Sequence, residues 1–432
     1  MHASPTSRAV ALRWNLLLVM IAGSIITGLL TRSAFSFVLA IPFLVYAATG
    51  QALHMPKITV QISGDRLRIA AGEIVTVHAS VQCSTSTPVA RVDWILPPTV
   101  EHVSGDIGFG GPVQAGVAVE FEIQLRCPRG EYVVRAPSVT VSNAALLREK
   151  TVQPPQRIRI RAVPAVFPPR QVAISPPAVN LFPGIIASRK AGTGAEFFDI
   201  REYRPGDSLR HVSRKSYTRG TGVRRLHVVE YEEERAVDVC IILDVRSHVY
   251  MSRGLDLFEA SCTGAAALSS RFIADGNRVS LLQYGGALRW SPPGYGKRRR
   301  ESILDELAGA RPREHGAFRD LAQLPVHLLR AGTQLILVSP VHREDIPELS
   351  ALHARRFRII VLRPDNLERS RQELPDDSER DLAYRLARLE HEYIAQELER
   401  AGILVVDWPA GQSLPACFAA ERSRFAAWSR HL

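Results

Sequence analysis

The chain has 432 residues, 46% of them hydrophobic, and a formal net charge of +11 from 54 Lys plus Arg against 43 Asp plus Glu. That apolar content supports roughly two or three domains with their own cores and excludes an intrinsically disordered chain. The basic excess suits anionic lipid, an acidic protein or nucleic acid, but the sequence carries neither a zinc-finger spacing nor an aromatic RNA-binding strand, so nucleic acid is not the expected partner.

Two apolar runs open the chain, residues 15–30 and 34–48, separated by Thr31, Arg32 and Ser33. A helix of about sixteen residues reaches about 24 Å, short of a bilayer core. Arg13 and Trp14 extend the first span by snorkelling and belt anchoring, and the second runs on toward Ala52. A secretory signal, with Arg8 and Arg13 before an apolar stretch, is the competing reading. The second run directly after the first favours a transmembrane helical hairpin over residues 1–54, with Pro42 kinking its second helix. Arg8 and Arg13 precede the hairpin, Lys57, Arg66 and Arg68 follow it, and Arg32 alone lies in the turn. The positive-inside bias then puts both ends in the cytoplasm.

Residues 55–165 read as strands. Val119, Phe121, Ile123 and Leu125 alternate with Glu120, Glu122, Gln124 and Arg126, which gives one buried face. Ile58, Val60 and Ile62 repeat the pattern, as do Val75, Val77, Ala79 and Val81. Turn signals at Ser63-Gly64-Asp65, at residues 108–112 and at Pro128-Arg129-Gly130 separate these runs, and an immunoglobulin-like β-sandwich is the expected closure. The five cysteines form no CxxC pair, and export of this region would make Cys83 and Cys127 the pair to suspect of a disulfide.

Prolines are dense over residues 164–183, as in a linker or an extended crossing segment. Residues 166–235 are therefore expected to combine a linker with the motif that follows. Residues 194–219 read GAEFFDIREYRPGDSLRHVSRKSYTR, with a tight turn expected at Arg204-Pro205-Gly206-Asp207. Arg201, Arg204, Arg210, Arg214, Arg219 and Lys215 surround it, answered by Glu196, Asp199, Glu202 and Asp207. Such a concentration serves either as an internal clamp between domains or as a partner-binding surface.

The motif resembles that of a bacterial membrane-protein family, domain-of-unknown-function family 58. The residues that carry the likeness are Gly194, Glu196, Phe197, Arg201, Glu202, Tyr203, Arg204, Pro205, Gly206, Asp207, Arg210, Val212, Lys215 and Arg219. Arg214 stands where that family usually has tryptophan, and Thr218 where alanine is common. A second, weaker likeness is the RGxY element at Arg129-Gly130-Glu131-Tyr132, which is expected to end a strand. The resemblance implies a von Willebrand A-like final domain, a place in the cell inner membrane, and companions of two kinds, a MoxR-type AAA+ ATPase and a transglutaminase-like membrane protein. It implies the role of a non-enzymatic adaptor in complex assembly or envelope maintenance.

Residues 236–432 alternate strands with helices, as a doubly wound parallel sheet requires. Strands are expected at residues 237–243, 278–284, 335–338, 357–362 and 403–407, and helices at 255–273 and 379–401. Ligands of such sheets gather at the carboxyl ends of the strands, which points to Asp244-Val245-Arg246-Ser247-His248. Working von Willebrand A metal sites resemble this position but read DxSxS, whose hydroxyl and carboxylate oxygens suit Mg²⁺. Arg246 and His248 replace both serines, and residues 337–340 supply no second acid. The expectation is a degenerate site over Asp244, Arg246, Ser247 and His248, closed by an Asp244–Arg246 ion pair, with neither metal nor cofactor.

Ser247, His248 and Asp244 offer the residue types of a hydrolase, but neighbours on one turn seldom converge on one centre. Gly294-Tyr295-Gly296-Lys297 lacks the pattern of a phosphate loop. No enzyme is expected. A metal-dependent ligand-binding or adhesion-type von Willebrand A protein is the alternative. The basic run at residues 297–300 and the acidic Glu230, Glu232, Glu233 and Glu234 are expected on solvated faces.

Overall fold

The computed structural model describes residues 5–166, 186–205, 227–235, 238–251, 255–286, 288–314, 328–330, 332–375, 378–421 and 424. The chain divides into two compact units, Met1–Val163 and Pro164–Leu432.

The first unit begins with two long helices, α1 (Pro5–Thr31) and α2 (Ala34–Ala52). Val10–Thr31 and Ala34–Ala52 are each long and apolar enough to cross a membrane. Their outer faces expose Leu16, Val19, Ile26, Leu29, Leu30, Phe35 and Leu39, a surface that water does not favour. The hydroxyls inside the first span are satisfied locally: Ser24, Thr27 and Thr31 each donate to the carbonyl four residues earlier. Arg32 takes a positive φ of 49° in the short turn between the helices.

Eleven strands follow: β1 (Ile58–Gly64), β2 (Arg68–Ala70), β3 (Ile74–Cys83), β4 (Thr87–Asp93), β5 (Glu101–Gly105), β6 (Gly108–Val113), β7 (Ala118–Arg126), β8 (Gly130–Arg135), β9 (Ser138–Ser142), β10 (Glu149–Val152) and β11 (Arg157–Val163). They form three small sheets, ordered β1-β3-β7-β5, β10-β9-β4-β6 and β2-β11-β8. One apolar cluster draws on all three, with Val77, Ile123 and Leu125 from the first, Val92, Val139 and Val141 from the second, and Ile69, Val134 and Ile160 from the third. Alternation decides which residues enter it. Val75, Val77, Ala79 and Val81 point inward from β3 while their neighbours do not. Each fully buried aliphatic side chain contributes about 1.5–3 kcal/mol.

One turn expectation and one strand-end expectation fail here. Residues 108–112 are not a turn but most of β6, because pairing with β4 from Thr87↔Val113 to Asp93↔Gly108 satisfies a backbone that glycine leaves unguided. Arg129-Gly130-Glu131-Tyr132 begins β8 rather than ending a strand. Its tyrosine folds back, and Tyr132 Oη donates to the Pro128 carbonyl at 2.9 Å.

The second unit opens with an antiparallel ribbon of β12 (Ile186–Glu202) and β13 (His227–Arg235). This pair falls within residues 166–235, expected as a linker with the motif and not as strands. The remaining elements are β14 (Asp238–Asp244), α3 (Ser247–Met251), α4 (Leu255–Ala274), β15 (Arg278–Tyr284), β16 (Arg289–Gly294), α5 (Gly296–Ala308), β17 (Gln334–Val338), α6 (Asp345–Ala354), β18 (Arg358–Asp365), α7 (Leu367–Glu373), α8 (Ser378–Arg400), β19 (Leu404–Pro409) and α9 (Leu414–Ala420). The sheet runs β16-β15-β14-β17-β18-β19, with every pairing parallel except β16 on β15. Each residue of β14 is buried, as a strand covered on both faces requires. On one face Cys240 and Ile242 share a core with Leu349 and Leu352 of α6 and with Ile394 and Leu398 of α8. On the other, α4 lies over β14, β15, β17 and β18, and it comes so close that a Cβ at Gly264 would meet Leu362 Cδ2 at 2.8 Å.

The basic run at residues 297–300 sits in the first turn of α5, but it is not uniformly solvated. Arg299 turns inward, donating from Nε to the Val279 carbonyl at 3.0 Å and from Nη1 to Ser291 Oγ at 2.7 Å. Burial lowers its pKa from the ordinary arginine value.

Candidate functional site

The sheet order reverses at β14, whose successors lie on opposite sides of it: β15 on one, β17 on the other. A crevice for ligands is expected at the carboxyl ends of strands at such a point. Asp244 ends β14 there with its side chain fully buried, and Arg246 follows two residues later with its own side chain 8% exposed. Gly285 makes room for that arginine. It has a φ of +105°, and a Cβ on it would run into Arg246 Cγ.

Arg246 folds over the end of the sheet as a fork between two carboxylates. Its Nη2 lies 2.8 Å from Asp244 Oδ2 and its Nε 3.1 Å from Asp244 Oδ1. On the far side Nη1 donates to Asp345 Oδ1 at 2.8 Å and Nη2 to Asp345 Oδ2 at 3.0 Å. Asp345 is the first residue of α6, where a carboxylate also answers the helix dipole, and it accepts the His342 backbone N–H at 2.9 Å. The remaining capacity of Asp244 is taken by neighbours. Ser339 Oγ donates to Oδ2 at 2.7 Å, Tyr284 Oη donates to Oδ2 at 3.1 Å, and the Arg246 backbone N–H donates to Oδ1 at 2.9 Å. The Tyr284 ring lies under the guanidinium, 5.1 Å from centroid to Cζ.

Burial works against the Arg246 charge, but Asp244, Tyr284 and the hydrogen bonds to both carboxylates outweigh it and hold its pKa above the ordinary arginine value. Burial first, and the Asp244 charge second, push the Tyr284 and Tyr250 phenols well above the ordinary tyrosine value. Both phenols stay protonated at neutral pH and serve as donors; Tyr250 Oη bonds the Asp244 carbonyl at 3.0 Å.

The ion pair expected between Asp244 and Arg246 is therefore present, and it is one half of a larger clamp. The second acid, missing from residues 337–340, is supplied by Asp345. Sequence reasoning passed over Asp345 because it belongs to a helix rather than a strand end, and passed over Ser339 because it searched that turn for an acid only. Ser247 and His248 do not join: His248 is exposed, and Ser247 is fixed through its backbone N–H to the Arg313 carbonyl at 3.0 Å. The oxygens that a divalent cation needs are already filled by a guanidinium, so the residues present do not fit a metal ion. With Asp244 committed to Arg246, Tyr284 and Ser339, the types needed for a hydrolytic triad do not converge either.

The charged motif is described in part. Glu196 and Arg201 lie in β12, where Arg201 pairs with Val228 of β13. Glu202 and Arg204 are exposed and Tyr203 is half-buried. Gly206, Asp207, Arg210, Lys215 and Arg219, and with them the expected tight turn, lie outside the described residues. Elsewhere on the carboxyl edge, a cavity of about 190 Å³ beside β18 and β19 is walled by Leu257, Pro364 and Trp408 and rimmed by Asp365 and Arg369. Cys83, Cys127, Cys240, Cys262 and Cys417 are all free and buried.

The sheet and its clamp define an open α/β domain whose switch-point site is closed by the protein's own cation. Residues 199–385 match the family described as "Protein of unknown function DUF58", so the match covers all but the first five residues of the charged motif and most of the α/β domain. No curated protein matches the chain. Among solved structures, the chain is similar at 10% identity to the FixG-related protein from Vibrio parahaemolyticus, over 24% of this chain and 95% of that one, with a TM-score of 0.17. It is similar at 11% identity to proximal thread matrix protein 1 from the mussel byssus, over 45% of this chain and 47% of that one, with a TM-score of 0.26. Scores this low carry no inference about fold or function.

Proposed function

We propose that the chain is a non-enzymatic, membrane-anchored adaptor of the inner membrane, with both soluble units on the cytoplasmic side. In this reading the hairpin anchors, the strand-rich region is an immunoglobulin-like spacer, and the α/β unit is a von Willebrand A-like domain. That last unit presents its charged motif and carboxyl edge to a MoxR-type AAA+ ATPase, alongside a transglutaminase-like membrane protein, in complex assembly or envelope maintenance. The observation that carries the reading is Arg246 held between Asp244 and Asp345. A domain whose ligand-facing carboxylates are both neutralised internally has neither a metal nor a reactive group to offer at that point, and works through its surfaces. The match over residues 199–385 and the two long apolar helices support the same reading. The metal-dependent alternative finds no support at this site, for the reason of fit given above.

The test is crosslinked co-purification from native membranes of the wild-type chain and of Arg204→Ala and Asp207→Ala. An AAA+ ATPase recovered with the wild type and lost with the folded variants is the expected result. Recovery of the same proteins by all three would make the motif an internal clamp and refute the docking surface.

A further inference from the structure

At the end of the hairpin that carries both chain connections, the loop between β9 and β10 grips the two helices. Asn143 is fully buried; its Nδ2 donates to the Gly50 carbonyl of α2 at 2.7 Å, while its Oδ1 accepts the backbone N–H groups of Leu147 and Arg148 at 3.0 and 3.2 Å. Trp14 Nε1 donates to the Leu147 carbonyl at 2.7 Å, and Tyr46 Oη donates to the Ala145 carbonyl at 2.6 Å. These aromatics stand where a membrane protein places its interfacial belt, yet their polar tips are spent on protein carbonyls rather than on headgroups.

Two guanidinium groups flank the same junction. Arg13 of α1 donates from Nη1 to the Leu146 carbonyl of the loop at 3.3 Å, and Arg148 of the loop donates from Nη1 to the Gln51 carbonyl of α2 at 3.2 Å. Both side chains are exposed, and among the described residues neither meets a carboxylate. Each thus spends one of its five N–H donors on orientation and keeps the rest, in the planar fork that suits a phosphate. Arg13 lies within the apolar span Val10–Thr31, close to its start, so its stem must run toward the headgroup level to keep its charge wet.

We infer that Arg13 and Arg148, positioned by the docked loop of residues 143–148, form a binding site for the phosphate of an anionic phospholipid. The inference rests on the reading that the hairpin spans a bilayer. The ligand is lipid-borne because the site opens where both helices leave the membrane, and a lipid phosphate there is already at the right depth.

The experiment reconstitutes the full chain into vesicles of phosphatidylcholine with and without phosphatidylglycerol, checks insertion by resistance to alkaline extraction, and measures protein-bound lipid by native mass spectrometry. Phosphatidylglycerol should be enriched over its bulk share, by about fivefold for each arginine and about 30-fold for both. The double variant Arg13→Gln, Arg148→Gln should return to the bulk ratio. The pair Arg13→Lys, Arg148→Lys, which keeps the charge but not the fork, should fall between the wild type and the glutamine variant, and protection of the buried Cys83 and Cys127 thiols from a thiol reagent checks that each variant is folded. Absence of enrichment in the inserted wild type, or enrichment unchanged in the folded glutamine variant, overturns the site. Loss of enrichment on adding inorganic phosphate overturns its assignment to lipid. Failure of the wild type to insert overturns the hairpin reading and this inference with it.

Discussion

Arg246 is held more tightly than a strand-end ion pair needs to be, and its environment sets what its removal would do. Both carboxylates are buried, so Arg246→Ala would leave two negative charges facing each other without a donor fork, at a cost of about 3–5 kcal/mol. Urea unfolding should show this as a lower midpoint with an unchanged slope. Arg246→Lys keeps the charge but not the fork, and should fall between the two. Buried thiols and phenols, in both units, predict an alkaline limit to stability. Burial pushes the Cys127 thiol up to about 11 and the Cys240 thiol up to about 12, and the Tyr250 and Tyr284 phenols are raised as well. Groups whose folded pKa exceeds the unfolded value contribute fully below the unfolded pKa and lose that contribution as pH rises toward the folded one. Urea midpoints should therefore be level with respect to these groups up to about pH 8 and fall between about pH 9 and 12. Midpoints that stay level to pH 11 would contradict the burial of these groups.

At the scale of elements, the docked loop makes the hairpin and the strand-rich region mechanically one piece. Leu147 is 1% exposed beneath Gly50, and a Cβ at Gly50 would run into Leu147 Cδ1. Gly50→Ala should therefore lower the melting temperature, and adding Leu147→Ala should recover part of the loss despite the cavity it makes, a coupling that a double-mutant cycle measures. Simple additivity would mean the two elements are not packed as described. The reasons some elements were legible are physical. Strands buried on both faces read as apolar runs, which is why residues 278–284 and the neighbouring strands of the sheet could be read directly, and α8 announced itself by its amphipathic length. β6 was hidden because Gly108, Gly110, Gly111 and Pro112 are turn formers by local preference, and only the ladder to β4 overrides them. The β12–β13 ribbon was hidden because its charged strands carry no apolar run and pair across a long sequence separation. In the candidate site, Asp244 and Arg246 were legible as neighbours in sequence, whereas Asp345 reaches Arg246 only through the α6 fold.

The whole chain combines an apolar hairpin, a strand-rich region and an open α/β sheet whose switch point is neutralised from within. Arg246 occupies the position where such a sheet would otherwise receive a cation, and in the function proposed above the chain works by presenting surfaces. The direct measurement is thermal unfolding of the α/β unit in the intact chain, with EDTA and with millimolar Mg²⁺ or Mn²⁺, for the wild type and for Arg246→Ser. A ligand that binds only the folded state raises the melting temperature in proportion to its occupancy. The account predicts that the wild type is indifferent to either cation, while Arg246→Ser, with its two buried carboxylates left open, is destabilised in EDTA and regains stability when the cation is added. A saturable rise in the wild-type melting temperature would show that the site still takes a metal ion, and would contradict the account.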